Sequence, residues 1–91
     1  MAQHPLGSVV DIRSARLMKV VTGVVDGGLV TAETGRVLRA YARSVRALLE
    51  STDVDLAKTV MTKIEVALEE DSDTRAQEAV RKHIGLLRRA L

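Results

Sequence analysis

Apolar residues recur at every third or fourth position in four stretches of this 91-residue chain, and three short breaks separate the stretches. Few folds accept that pattern. Each residue advances about 100° around a helix, so spacings of three and four gather on one face, whereas a half-buried strand needs strict alternation. In the first stretch Val10, Leu17, Val21 and Val24 share a face with Val9, Val20 and Val25. Val37, Leu38, Tyr41, Val45, Leu48 and Leu49 form the stripe of the second. Leu56, Val60, Met61, Ile64, Ala67 and Leu68 form that of the third, and Ala76, Val80, Ile84, Leu87 and Leu91 that of the fourth. Only Val20 to Val25 has the composition of a strand, and Lys19, Thr22 and Asp26 deny it alternation, so a helix is expected there too.

The breaks carry the chemistry that starts and stops helices. Ser8-Val9-Val10-Asp11 has the spacing of a capping box, in which two side chains satisfy unpaired backbone donors reciprocally. Gly27-Gly28 closes that helix, because glycine accepts the left-handed conformation at a helix end. Thr31 caps the second helix and Glu33 favours its dipole. Ser51-Thr52-Asp53 breaks it, and Thr52-Asp53-Val54-Asp55 repeats the box spacing. Asp71-Ser72-Asp73 is the last break, and Thr74-Arg75-Ala76-Gln77 opens the final helix. These signals predict helices over residues 9–26, 32–50, 53–70 and 74–90. Turns this short make neighbouring helices antiparallel. The expected fold is all-α: one domain over residues 8–91, with about four amphipathic helices in antiparallel hairpins. The hairpins either close as an up-down bundle or splay and are completed by oligomerisation. Residues 1–7 lack the pattern and are expected to be a disordered start.

The core has to be built without large rings. There is no Phe or Trp, and Tyr41 is the only aromatic residue. A thin aliphatic core often gains burial by self-association, so a homo-oligomer is expected. Val9, Met18, Val20 and Val25, at the edges of the wide apolar arc of the first helix, are the candidate interface.

Catalytic constellations are missing. With no cysteine there is neither a disulfide nor a thiolate nucleophile. His4 and His83 have no second His and no carboxylates at ligand spacing, and His83 reads as a boundary histidine. Gly27-Gly28 lacks the Gly-Lys-Ser/Thr of a phosphate loop. Glu69-Glu70-Asp71-Ser72-Asp73 lacks the alternating ligands and distal Glu of a calcium loop. The expectation is a chain that is not an enzyme, with no metal, cofactor or small-molecule substrate. Its first eight residues lack the basic and apolar segments of a secretory signal. No apolar run approaches the roughly 20 residues that span a bilayer. A cytoplasmic protein with no membrane partner is expected.

Charge is the informative feature. The net charge is +2, but residues 1–49 carry seven Lys/Arg against three Asp/Glu, residues 50–73 two against eight, and residues 74–91 five against one. Arg36, Arg39, Arg43 and Arg46 recur at helical spacing opposite Tyr41, so a basic stripe is expected to point outward from the second helix. Arg75, Arg81, Lys82, Arg88 and Arg89 make the outer surface of the last helix basic in the same way. Three readings stay open, the plainest being a stripe that is merely solvated. Guanidinium groups spaced along a rigid helix can neutralise successive phosphates and release counterions. Alternatively, Asp55, Glu65, Glu69 and Glu70 of the third helix face these cations, within the chain or from another copy. No aromatics interleave the stripe, so contact with nucleic acid would be to backbone rather than by base stacking.

A resemblance bears on the choice. The residues that carry it are Leu17-Met18-Lys19-Val20-Val21, then Asp26-Gly27-Gly28-Leu29-Val30-Thr31-Ala32-Glu33-Thr34-Gly35-Arg36-Val37-Leu38, Ala47-Leu48-Leu49-Glu50, Asp55-Leu56-Ala57 and Lys63-Ile64-Glu65. The stretch they span covers about half the chain, and they resemble a helical hairpin of small phage-encoded, small-terminase-like proteins. The resemblance implies a non-catalytic oligomer working beside DNA in viral genome packaging, and hence a host-cytoplasmic location. The chain departs from small terminases in lacking a DNA-reading head domain. The resulting expectation is an oligomeric helical module that binds an anionic partner, DNA backbone first. The alternative is an adaptor or inhibitor that binds another protein through its charged faces.

Overall fold

The structure, a computed structural model, describes residues 4–91. Four helices follow one another: α1 (Ser8–Asp26), α2 (Ala32–Glu50), α3 (Val54–Glu70) and α4 (Thr74–Arg89). No strand occurs among the described residues, and Val20 to Val25 is helical. Each helix packs on its chain neighbours, and α4 returns to α1. No contact crosses either diagonal among the described residues, so the hairpins close as an up-down bundle rather than splay. The longest dimension, 36 Å, is slightly more than the 28 Å or so that 19 helical residues rise.

Helix ends follow the turn chemistry, with three shifts of detail. Thr31 accepts a hydrogen bond from the Thr34 backbone N–H, as expected of a cap. At α1 no side chain caps: Gly7, with φ 99°, occupies the capping position and Ser8 is already helical. Asp53 and Asp73, rather than Thr52 and Thr74, cap α3 and α4 by accepting from Leu56 and Ala76. An ionised carboxylate answers the helix dipole as well as the orphan N–H, which a hydroxyl does not. Of the start, residues 1–3 lie outside the described residues. His4 to Gly7 form a turn that lays Leu6 against the core.

Two helices end in the same loop. After α1, Leu29 N–H reaches the Val24 carbonyl and Gly28 N–H that of Val25, with Gly28 left-handed at φ 71°. After α2, Asp53 reaches Leu48 and Thr52 reaches Leu49, but the left-handed residue is Thr52 at φ 58°. A β-branched side chain is strained there, by about 1 kcal/mol or more. Thr52→Gly is therefore expected to stabilise the domain by about 1 kcal/mol, visible as a higher urea midpoint at unchanged slope. A lower midpoint would mean that the hydrogen bond from Thr52 Oγ1 to the Ser51 carbonyl matters more than the strain.

The core is a column of Leu17, Val21, Leu38, Val45, Leu49, Met61, Ile64, Leu68, Val80, Ile84 and Leu87, each 1% exposed or less. Ala42, Ala57 and Ala76 sit on the same buried lines and let the helices approach closely, which is how a bundle closes without aromatic rings. At Gly35 the α1–α2 seam is tight, and a Cβ there would stand 2.8 Å from Val25 Cγ1. Gly35→Ala gains helix propensity of about 1 kcal/mol but overpacks a seam, at a cost of about 1–3 kcal/mol. A net loss of about 1 kcal/mol is expected in denaturant melts. A net gain would show that Val25 can turn away freely.

Candidate nucleic-acid interface

The cations fall into two groups, those held by seams between helices and those left over. In the α1–α2 seam Arg39 pairs with Asp26, and Arg46 pairs with Asp11 at 3.4 Å. The expected outward stripe is thus rotated: Arg39 and Arg46 lean on α1, and only Arg36 and Arg43 are exposed without an ion pair. The reason is geometric. The buried line of α2 runs through Leu38, Ala42, Val45 and Leu49, while Val37 is 38% exposed and Leu48 half-buried. The line of arginines lies about a quarter turn from that centre, not opposite it.

In the α3–α4 seam Arg88 meets Glu65 at 2.7 Å and donates to Thr62 Oγ1. Arg81 spans Glu65, at 4.0 Å, and Glu69. Third-helix acids therefore do face arginines, but those of α4. The α2 arginines find the aspartates of α1. In the α1–α4 seam Arg13 donates to the Leu86 carbonyl at 2.7 Å, one of the last four of α4 and otherwise without a helical donor.

Seven cations on α1, α2 and α4 remain exposed with no ion pair among the described residues: Arg16, Lys19, Arg36, Arg43, Arg75, Lys82 and Arg89. Arg75, Lys82 and Arg89 stand seven residues apart on one line of α4, with Glu78 the only acid on that helix. Arg16 comes to them from α1. Its charge and that of Lys82 act on His83, whose pKa is lowered, first by burial and then by these two cations. The imidazole is thereby kept neutral to lower pH than usual, so it adds no positive charge to this face near pH 7. Arg36 and Arg43 continue the basic surface on the other flank of α1. On α3 the charge is mixed: Glu65 and Glu69 are taken up by Arg81 and Arg88, and Asp55 and Glu70 stand with Lys58 and Lys63.

Of the residues expected to bind, Arg39, Arg46, Arg81 and Arg88 are thus committed to seams, and Arg36, Arg43, Arg75, Lys82 and Arg89 are not. Arg16 and Lys19 join them. In sequence Arg13, Arg16 and Lys19 stand at three-residue steps, a helical spacing that marks them as one basic line, and only the packing of α1 on α4 brings the charge of Arg16 to bear on His83, the neighbour of Lys82. Of the four candidate interface residues, Met18, Val20 and Val25 are half-buried against the bundle's own core, and Val9 is 52% exposed.

A clamp fixes one end of the bundle. Asp71, between α3 and α4, accepts from the backbone N–H of Thr31 at 3.2 Å and from its hydroxyl at 2.6 Å. Hydrogen bonds from Thr31 and Thr34 hold the Asp71 carboxyl below its usual pKa. Its contribution is present above the usual carboxylate range and fades as pH falls through the lowered value.

No family model, curated protein or solved structure matches the chain. Among the described residues no three His, Cys, Asp or Glu side chains converge to hold a metal ion, and no helix is long and apolar enough to cross a membrane.

Proposed function

We propose that this chain is a small, non-enzymatic helical module that binds the phosphate backbone of DNA through the α4–α1 face and its continuation onto α2. The observation that carries the reading is the sorting of cations. In the α1–α2 and α3–α4 seams four arginines have an acid at ion-pair distance; α1, α2 and α4 expose seven further cations without one among the described residues, against Lys63 alone on α3. Seven helical residues rise about 10.5 Å, close to the axial rise of three base pairs, so Arg75, Lys82 and Arg89 suit phosphates along a duplex. With no aromatic side chain on this face, recognition is of backbone and independent of sequence. A packaging role is the setting that the resemblance to small-terminase-like hairpins would supply.

The test is the salt dependence of binding to a labelled duplex of arbitrary sequence, read by fluorescence anisotropy. Affinity should fall steeply and linearly on a log–log plot, with a slope of about −0.9 per phosphate contact. Absence of binding at 50 mM salt, or binding indifferent to salt, would overturn the reading in favour of a protein-binding adaptor.

A further inference from the structure

The α2–α3 seam carries no ion pair among the described residues, nor the side-chain to carbonyl bond that Arg13 makes across the α1–α4 seam, and opens into a shallow groove of about 340 Å³ lined by Val37, Tyr41, Lys63, Val66, Ala67 and Glu70, together with Thr62. Val37 and Val66 are 38% and 47% exposed, which is high for two branched aliphatic residues side by side. We infer that this groove seats a second copy of the chain, with α3 packed antiparallel on its equivalent about a twofold axis.

Charge placement selects the occupant. Lys63 and Glu70 border the groove, stand seven residues apart on α3, and have no ion pair among the described residues. A twofold axis lying across the helices, level with Val66, exchanges these two positions. Lys63 of each copy then faces Glu70 of the other, and the valines meet near the axis. Opposite charges at symmetric distances from an apolar centre are what a self-complementary surface requires. A partner of uniform charge would meet one of the two unfavourably.

The arrangement has a consequence that rests on the proposed DNA reading. In the ring of helices the α2–α3 seam lies opposite the α4–α1 seam. A dimer joined at the groove therefore turns its two basic faces away from each other, on the far sides of two bundles each about 20 Å thick. Two duplexes could be held at once.

Mass by light scattering or sedimentation across micromolar to submillimolar concentration tests the pairing without DNA. The wild-type chain should approach twice its 9.9 kDa. Lys63→Glu alone and Glu70→Lys alone should each be monomeric with unchanged helicity, since both residues are exposed. Mixed in equal amounts they should recover the dimer, because both contacts are then complementary. Val66→Asp, also exposed, should abolish it in every combination. A wild-type monomer throughout, a dimer that survives Lys63→Glu, or single variants that fail to recover on mixing would each overturn the inference. The monomeric variants keep the α4–α1 face, so loss of the dimer and loss of duplex binding are read separately.

Discussion

Leu49→Asp is expected to unfold the domain at 25 °C, with loss of the helical circular-dichroism signal. Leu49 is fully buried at the centre of the α2 face, in a core cluster of aliphatic residues and Met61 with no buried charge and Ser14 as its one buried polar neighbour among the described residues. The substitution removes the transfer free energy of a leucine and leaves a carboxylate without a partner in a dry core. Such changes cost more than about 4 kcal/mol. A domain of this size holds roughly 5–14 kcal/mol in total, and an aliphatic bundle without disulfides belongs at the low end. Leu48→Asp, one residue earlier, should cost about half as much, because Leu48 is half-buried and its replacement can reach water. If Leu49→Asp melts at the wild-type denaturant midpoint, the assigned core face of α2 is wrong.

Two quadruple substitutions of equal charge should separate the two groups of cations. Arg16, Arg75, Lys82 and Arg89 changed together to Gln, or Arg39, Arg46, Arg81 and Arg88 changed together to Gln, each convert the net charge from +2 to −2. Any difference between them therefore reports placement rather than total charge. The first set should lose roughly a thousand-fold or more in duplex affinity near 0.1 M salt, with a salt slope shallower by about four. Its stability should barely move, since Gln keeps helix propensity at exposed positions. The second set should keep most of the affinity and lose about 1–3 kcal/mol of stability, the sum of surface ion pairs worth under about 1 kcal/mol each. Equal losses of affinity would mean that long-range charge alone attracts the duplex. No loss in either would remove the α4–α1 face as a binding surface.

Much of the fold was legible in the residue order because its determinants are local. A spacing of three and four, a Gly-Gly after a valine-rich run and a carboxylate ahead of an apolar stripe each act within one turn of chain. They placed the helix ends within a residue or so and identified Thr31 as a cap. Where local chemistry was ambiguous, neighbouring candidates were exchanged: Asp53 outcompeted Thr52, and Asp73 outcompeted Thr74, because a charge senses the helix dipole and a hydroxyl does not. The buried stripe of α2 is narrower than its periodicity suggests for a similar reason. Periodicity shows which residues share a side of a helix and so groups Val37 and Leu48 with Leu38 and Leu49, whereas only the neighbours show which of them point at the centre.

Composition and spacing alone, then, determined four helices, their turns, their antiparallel order and an aliphatic core. Tertiary structure decided the closure of the ring, the Thr31–Asp71 clamp and the allotment of cations. Arg39 and Arg46 went to aspartates of α1, Arg81 and Arg88 to glutamates of α3, and the charge of Arg16 was brought to bear on His83, sixty-seven positions away. The physical reason is range. Helix formation and capping are settled over a few ångströms along the chain, whereas the partner of a charge on a helix flank depends on which other helix closes against that flank, and only the packed core determines that.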